Sequence, residues 1–331
     1  MPGHEIIVVG ASAGGVEAVP RLIASLPQNL PASIFVVLHI PALGPDLLAE
    51  IVGRNAALTV KNAVDGEVIE PGRVYLAPPD QHLQVELGIV RLTRGPRENR
   101  HRPAIDALFR SAAEAYGPRV TGVVLSGYLD DGTAGLNSVK THGGIAIVQD
   151  PKDAAAPGMP ESALRNVKVD HCLPLADIGP LLVRLVSTPT IRPEIALEKP
   201  KEKRQMSPKD MKTRFGPPTP FVCPECNGPL WETQVGTAPL QFRCHVGHSY
   251  SPDSLLADHA DALERALWSA VRTFDEQAAL LRRLGERRQL TQSYNTDLET
   301  RAAKFEGDAE AIRKLLQATP SKPTRSIHEF N

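Results

Sequence analysis

Short apolar runs alternate with amphipathic segments over the first 187 residues of the chain. The apolar runs predict strands at 5–9, 33–38, 74–77, 83–92 (with a turn near Gly88), 120–126, 145–148 and 169–173. Between them, apolar residues recur every three or four positions, which predicts helices near 16–26, 45–53, 103–116, 133–142 and 176–186. This alternation is typical of a mostly parallel sheet with helices on both faces. We therefore expect a doubly wound, Rossmann-like α/β domain over residues 1–187.

The pattern changes after residue 187. Residues 188–220 are rich in proline, lysine and arginine and poor in large apolar side chains, which predicts an extended linker. Helical apolar spacing returns in two stripes, Leu256 to Leu281 and Leu298 to Leu316. These stripes predict a helical hairpin or a coiled coil over 251–318, followed by a flexible tail at 319–331. The spacing does not choose between packing in cis, self-association and binding of a signalling partner.

Composition narrows the class of protein. The chain has 331 residues, of which 42% are hydrophobic and 23% charged, as in a globular protein with a sizeable core. A formal net charge of -1 gives no general attraction to nucleic acid or to anionic membranes. No apolar run reaches the roughly 18 residues that span a bilayer, and the first residues lack the basic region of a signal peptide. With four cysteines, no disulfide scaffold is expected. We expect a cytoplasmic protein that binds no nucleic acid and does not insert into membranes.

A glycine-rich turn follows the first predicted strand. It reads Gly10-Ala11-Ser12-Ala13-Gly14-Gly15 and leads directly into the first predicted helix. A serine between glycines at such a strand–helix turn is typical of a nucleophile elbow. The alternative is a phosphate-binding loop, but the spacing of a third glycine and the lysine of that motif are missing.

Two further predicted strands end in residues that could complete a catalytic site. His39 follows the second strand, and Asp130 and Asp131 follow the strand at 120–126. Because the carboxyl ends of parallel strands meet at one edge of a sheet, Ser12, His39 and an aspartate could serve as nucleophile, base and orienting acid. Each residue also has an ordinary structural interpretation, since aspartate before glycine favours turns and helix N-caps.

Five segments of the domain together resemble a known family: Gly10-Ala11-Ser12-Ala13-Gly14-Gly15, His39-Ile40-Pro41, Val74-Tyr75-Leu76-Ala77-Pro78-Pro79-Asp80-Gln81-His82, Asn99-Arg100-His101-Arg102-Pro103 and Gly158-Met159-Pro160-Glu161. They are similar, in the same order, to the catalytic domain of the CheB-type chemotaxis protein-glutamate methylesterases, over residues 5 to about 187. The resemblance implies an enzyme that hydrolyses glutamate γ-methyl esters on the cytoplasmic helices of methylated chemoreceptors and often deamidates glutamine there.

The resemblance also implies roles for individual residues. Ser12 would be the nucleophile, His39 the base and Asp131 the orienting acid, since the acid of the family directly precedes a glycine. The backbone N–H groups of Ala13 and Tyr128 would stabilise the oxyanion, and no cofactor is expected for catalysis. Three basic side chains before a predicted helix would form a rim for an acidic receptor surface: Arg100, His101 and Arg102.

Two features depart from the family. Gly127-Tyr128-Leu129 stands where the family usually has Gly-Met-Gly. Many members also carry an amino-terminal receiver domain, whereas the first strand here begins at residue 5, so we expect no control by a receiver. The altered loop supports an alternative, in which a catalytically idle esterase fold serves as a signalling scaffold.

A cluster of cysteine and histidine follows the predicted linker. Cys223 and Cys226 are separated by two residues, and Cys244 and His248 by three, which fits tetrahedral structural zinc in a knuckle or ribbon over 221–250. His245 is the other candidate for the fourth ligand, although His248 has the usual spacing. A redox pair would need its own βαβ context, which is missing.

Overall fold

The computed structural model describes residues 5–39, 47–187, 207–233, 238–287 and 292–318. The chain divides into two compact units, Met1–Leu255 and Leu256–Asn331. Part of the His39-Ile40-Pro41 motif, the start of the helix predicted near 45, most of the predicted linker and the predicted tail lie outside the described residues. Across the described ranges, no helix is both long enough and apolar enough to cross a membrane.

The first unit is built on a parallel sheet. Its elements in chain order are β1 (Glu5–Ala11), α1 (Gly15–Ala24), β2 (Ala32–Leu38), α2 (Leu48–Gly53), β3 (Thr59–Asn62), β4 (Arg73–Leu76), β5 (His82–Glu86), β6 (Ile89–Thr93), α3 (Ile105–Tyr116), β7 (Val120–Val124), α4 (Thr133–Thr141), β8 (Ile145–Gln149), α5 (Gly158–Asn166), β9 (His171–Leu173) and α6 (Leu175–Ser187). Seven of the described strands pair in the order β3-β4-β2-β1-β7-β8-β9, and every pairing is parallel. The winding direction therefore reverses between β1 and β7, where such sheets place their ligands.

The core lies on both faces of this sheet, as the sequence predicts. Successive side chains of a strand point to opposite faces. Accordingly Ile6 and Val8 of β1 pack in the cluster that contains Leu108 of α3. Ile7 and Val9 pack in the opposite cluster, which contains Leu22 of α1. The prediction of a doubly wound α/β domain is thus confirmed.

Three elements of the first unit differ from the sequence prediction. The run 83–92 forms an antiparallel hairpin of β5 and β6, separate from the main sheet, because Gly88 turns the chain with φ 79°. The edge strand β3 carries mixed polar and apolar residues, so it lacks the apolar run that marks the central strands. The short helix α5 begins at Gly158, in a glycine- and proline-containing segment for which the sequence predicts no helix.

A small module completes the first unit. It contains α7 (Pro208–Phe215), β10 (Leu230–Glu232), β11 (Phe242–Cys244) and β12 (Ser249–Tyr250), and the three strands form an antiparallel sheet. The sequence assigns α7 to the linker, but Ser207 and Asp210 form a capping box that starts this helix. Apolar side chains of the module pack around Leu230 and Tyr250.

The second unit is an antiparallel helical hairpin. Helix α8 spans Pro252–Arg287 and α9 spans Gln292–Ala318. The first residues of α8, up to Leu255, belong with the small module to the first unit. The ring centroids of Phe274 and Phe305 lie 5.8 Å apart, and an ion pair joins Asp275 to Arg313 at 2.6 Å. Arg282, further along α8, pairs with Glu299, which lies earlier in α9, at 2.9 Å. The two helices therefore run antiparallel. The predicted hairpin, in which the two helices pack on each other in cis, is therefore observed.

Candidate active site and metal cluster

Ser12 and His39 are the first residues beyond two paired strands. Ala11 of β1 lies opposite Leu38 of β2, and the His39 N–H donates to the Ala11 carbonyl at 3.1 Å. Ser12 follows Ala11 directly and is separated from α1 by Ala13 and Gly14. The parallel register therefore brings the serine and the histidine to the same edge of the sheet.

The turn around Ser12 is held by Ser126, which lies two residues beyond the end of the neighbouring strand β7. The Ser12 N–H donates to the Ser126 carbonyl at 2.9 Å, and Ser126 Oγ donates to the Ala13 carbonyl at 2.7 Å. Gly14 adopts φ 78° and leaves no room for a side chain, since a Cβ there would lie 2.7 Å from Ser126 Oγ. Both contacts fix the backbone on either side of the serine, so the turn is rigid.

His39 is joined to Asp131. Its Nε2 lies 2.8 Å from Asp131 Oδ2, and the two side chains are only 7% and 3% exposed. The other ring nitrogen, Nδ1, is buried and has no hydrogen-bond partner within the described part of the chain. Because an ionised carboxylate only accepts hydrogen bonds, Nε2 carries the proton and Nδ1 keeps a free lone pair. The ring therefore has the tautomer of a base.

The Asp131 carboxylate is surrounded by donors. Besides His39, it accepts from the N–H groups of Ile105 at 2.7 Å, Asp106 at 3.2 Å and Gly132 at 3.0 Å, and from Asn99 Nδ2 at 3.0 Å. Burial by itself would raise the pKa of Asp131. The hydrogen bond from His39, the positive charge of a protonated His39 and the backbone donors together outweigh burial, so the pKa is lowered. Asp131 is therefore the ionised member of the site.

A second buried carboxyl group, Asp106, lies beside Asp131. Its Oδ1 accepts from the N–H groups of Gly132 and Gly135, and its Oδ2 accepts from Asn99 Nδ2 at 2.8 Å. Burial and the charge of Asp131 raise the pKa of Asp106. No sequence pattern assigns a role to Asp106 or Asn99. The sequence features that could have indicated them are the position of Asp106 in the first turn of an apolar helix and the position of Asn99 at the start of a family motif.

The three basic residues predicted to form a rim occupy different environments. His101 stacks on His39 with ring centroids 3.6 Å apart, and burial together with the charge of His39 lowers its pKa to about 3. The Arg102 guanidinium donates to Asp80 at 2.6 and 2.9 Å and to the Gly95 carbonyl at 2.8 Å. Together with Arg100, these residues line an open cleft beside His39. Arg102 therefore shapes the cleft through a fixed ion pair.

The loop at 127–129 borders Ser12 on the other side. A Cβ at Gly127 would lie 2.8 Å from the Ser12 Cβ, so only glycine fits there. The Tyr128 side chain is 67% exposed, and Leu129 adopts φ 60°. That backbone conformation suits the glycine that the family usually has at this position and costs leucine roughly 1–2 kcal/mol.

Asp130 does not contact His39 and faces a different neighbour. The carboxyl group is 7% exposed and interacts with the Ser251 side chain. Burial, together with the charges of Asp253 and Asp131, raises its pKa to about 7. The residues alone leave Asp130 and Asp131 open as partners for the histidine, and the family resemblance favours Asp131. The hydrogen bond to His39 is made by Asp131.

The raised pKa of Asp130 predicts a pH-dependent stability. The folded state keeps the Asp130 proton up to about pH 7, whereas the unfolded chain loses it near pH 4. This group therefore lowers the free energy of unfolding as the pH rises between those values, by up to about 4 kcal/mol. Asp130→Asn should be stabilised relative to wild type at pH 8 by more than at pH 5, as measured by urea unfolding. The exposed Asp177→Asn is the control, and an equal difference at both pH values would contradict the prediction.

Four side chains of the small module form a cluster with metal-binding geometry: Cys223, Cys226, Cys244 and His248. Sγ of Cys226 lies 3.7 Å from Sγ of Cys244, and His248 Nδ1 lies 3.5 and 3.7 Å from the sulfurs of Cys244 and Cys223. A tetrahedral zinc ion with ordinary bond lengths separates two sulfurs by about 3.8 Å and a sulfur from a nitrogen by about 3.6 Å. The cluster could therefore hold a metal ion. His245 lies outside it.

Comparison with known proteins agrees with this fold. Residues 7–182 match the family model described as CheB methylesterase. A protein-glutamate methylesterase/protein-glutamine glutaminase of Moorella thermoacetica is 38% identical over 199 residues, covering 56% of this chain and 45% of that protein. A putative protein of the same name from Leptospira interrogans is 39% identical over 183 residues, covering 55% of this chain and 95% of its own length. The chain thus spans about half the length of the Moorella relative and nearly all of the Leptospira one.

A solved structure leads to the same conclusion. The crystal structure of the Thermotoga maritima CheB methylesterase catalytic domain superposes with a TM-score of 0.53 at 38% sequence identity. It covers 56% of this chain and all of the Thermotoga domain. With a family model that matches more than half of its residues, the chain belongs to the CheB methylesterase family.

Proposed function

We propose that this protein is a serine hydrolase that removes methyl esters from glutamate side chains of chemoreceptor-type proteins. One observation carries the proposal: at the strand end next to Ser12, His39 is bonded through Nε2 to the buried Asp131, and no group among the described residues bonds its Nδ1. The names of the Moorella and Leptospira relatives support the choice of substrate. Such a substrate, the cytoplasmic helices of a receptor, would place the activity in the cytoplasm.

In the proposed mechanism, His39 moves one proton between Ser12 and the leaving group. As Ser12 Oγ attacks the ester carbonyl, its proton passes to Nδ1, and the imidazolium is stabilised by the ionised Asp131. When the tetrahedral intermediate collapses, His39 returns the proton to the methoxide, so methanol leaves and an acyl-enzyme remains. Water then hydrolyses the acyl-enzyme with His39 again as base. Every proton transfer is carried by His39, and the scheme requires no cofactor.

The negative charge of the intermediate would fall close to two backbone donors. The N–H of Ala13 lies in the turn that leads into α1, where the positive end of the helix dipole adds to its effect. The N–H of Tyr128 lies on the facing loop, beside Gly127. Donors of this kind are worth roughly 2.7–4 kcal/mol each in comparable sites.

The cleft beside His39 would receive the receptor helix. Arg100, His101 and Arg102 line it. Because the lowered pKa leaves His101 neutral and Arg102 is paired with Asp80, we propose that the positive charge of Arg100 attracts an acidic receptor surface. The same acyl-enzyme chemistry would deamidate glutamine, with ammonia as leaving group in place of methanol. The relatives' names include that second activity.

We further propose that Cys223, Cys226, Cys244 and His248 bind one structural zinc ion. Three thiolates and one imidazole fill a tetrahedral shell, and two of the cysteines are buried, which favours a structural over a catalytic role. An ion bound there would tie β11 to the turn at 223–226 and so stabilise the small module. Zinc-binding modules of this size depend on the metal for their fold.

The zinc proposal predicts the behaviour of one cysteine variant. Cys226→Ser should reduce the zinc content from about one ion per chain to near zero, measured by elemental analysis. It should also make the region 207–255 sensitive to protease, since the module loses its central crosslink. Cys172→Ser, which replaces the exposed cysteine outside the cluster, is the matched control and should keep both zinc and protease resistance. Zinc-free wild-type protein with a resistant module would refute the proposal.

A further inference from the structure

The small module is joined to the loop that carries Asn99. The Asn99 N–H donates to the Ser249 carbonyl at 2.8 Å, and the Ser249 N–H donates to the Arg97 carbonyl at 3.3 Å. The pairing thus extends β12 onto the loop in the manner of an added strand. An ion pair between Arg97 and Glu225, at 3.1 Å, makes a second connection beside it.

The Asn99 side chain links this module to both buried carboxyl groups. Its Oδ1 accepts from the Ser251 N–H at 3.0 Å and lies 3.3 Å from Ser254 Oγ. Its Nδ2 donates to Asp131 Oδ1 at 3.0 Å and to Asp106 Oδ2 at 2.8 Å. Both hydrogens of the amide are used, and the side chain is 3% exposed.

The contacts from the module fix which way this amide points. An amide can flip its oxygen and nitrogen, and the flip is decided by its hydrogen-bond partners. The Ser251 N–H is a donor only, so it requires the oxygen on the module side. The nitrogen must then face the ionised Asp131, which only accepts, and it also lies within hydrogen-bond distance of Asp106 Oδ2. Ser254, with a fully buried hydroxyl, adds a second contact on the oxygen side.

From this geometry we propose that residues 249–254 complete the catalytic site, with Asn99 as a positioning residue that acts through Asp131. The proposal rests on the hydrolase function proposed above. Asn99 holds Asp131 Oδ1 so that Oδ2 faces His39 Nε2, and it separates the two neighbouring carboxyl groups by donating one hydrogen to each. The segment that holds Asn99 directly follows His248 of the cysteine–histidine cluster, so the proposal makes the small module part of the catalytic architecture.

Two full-length variants test the contact between Ser254 and Asn99 from either side, and a third serves as the control. Ser254→Ala removes one contact to Asn99 Oδ1 and should lower kcat for methanol release about 2- to 10-fold, the value of one hydrogen bond. Asn99→Ala removes the link itself and should lower kcat on the order of 100-fold, because Asp131 and His39 lose their fixed geometry. Thr219→Ala is the matched control: its hydroxyl bonds the Leu230 carbonyl at 2.9 Å within the same module, so kcat should be unchanged.

A fourth variant separates positioning of Asp131 from simple packing. Asn99→Asp keeps the shape of the side chain but places a third carboxyl group beside Asp131 and Asp106. Its activity relative to wild type should fall as the pH rises from 5 to 8, because ionisation removes the donor and adds charge. The activity of Asn99→Ala relative to wild type should not change between pH 5 and pH 8. A pH-independent ratio for Asn99→Asp would indicate a packing role and overturn the proposal.

The outcomes distinguish this proposal from the function on which it rests. Wild-type kcat in both Ser254→Ala and Asn99→Ala would refute the positioning role and leave the hydrolase standing. If wild-type protein releases no methanol, the proposed function fails. In that case the positioning role is tested by the NMR resonance of the proton between His39 Nε2 and Asp131. Ser254→Ala should shift this resonance, and Thr219→Ala should leave it unchanged. An unshifted resonance in Ser254→Ala would then refute the positioning role.

Discussion

Ser12→Ala is expected to abolish methanol release from methylated chemoreceptors. The variant removes the only atom that could form the acyl-enzyme in the proposed mechanism, and loss of a serine nucleophile costs on the order of 10⁶-fold in kcat in a comparable triad. The fold should be unaffected, because the turn is held by backbone contacts to Ser126. The measurement is methanol release from receptors of the same cell, with ammonia release followed in parallel for glutamine deamidation.

Ser25→Ala provides the control for this experiment. Its hydroxyl bonds the Leu22 carbonyl at the end of α1, away from the proposed site, so activity should persist. Unchanged methanol release in Ser12→Ala would contradict the assignment of Ser12 as the nucleophile. Labelling with a fluorophosphonate distinguishes the enzyme from an idle scaffold, since an active site should label at Ser12 and depend on His39. A complete lack of labelling in wild-type protein would favour the scaffold.

Asp131→Asn is expected to lower kcat about 10⁴-fold, as replacement of the acid does in a serine protease triad. An asparagine would place either its oxygen or its amide hydrogens against His39 Nε2, and it lacks the negative charge that stabilises the imidazolium. An amide that donates to Nε2 would also force the proton onto Nδ1, where the base is needed. Because the replaced group is buried, the substitution could also lower stability. The melting temperature should therefore be measured together with kcat, to separate loss of catalysis from unfolding.

Asp130→Asn is the matched control for the orienting acid. The two aspartates are adjacent, but only Asp131 bonds His39. Activity of Asp130→Asn should therefore stay within a few-fold of wild type at pH 7. A large loss in Asp130→Asn, together with an active Asp131→Asn, would reverse the assignment of the acid.

The positions of Ser12 and His39 could be predicted from sequence because they depend on local signals. Each follows an apolar run, and the carboxyl ends of adjacent parallel strands meet by necessity. The register of β1 and β2 then places both residues at the same edge. The stripes of α8 and α9 likewise predict their hairpin, although spacing alone does not exclude other partners for the same face.

The environment of Asp131 could not be predicted in the same way. Asn99 and Asp106 contact it from a loop and a helix, Ser254 contacts Asn99 from a distant segment, and no periodicity connects these residues. The link between Asn99 and Ser254 spans 155 positions of sequence. Buried polar groups satisfy one another through such distant contacts, and a single sequence gives no signal of the pairing.

The contact between β12 and the Asn99 loop limits how this protein can be divided for expression. The Thermotoga domain is matched in full by 56% of this chain, which suggests a cut after residue 187. A fragment cut there would lack Ser249, Ser251 and Ser254 and would leave Asn99 Oδ1 without its donors. The first unit instead continues to Leu255. A recombinant fragment intended to retain the native site should extend at least that far.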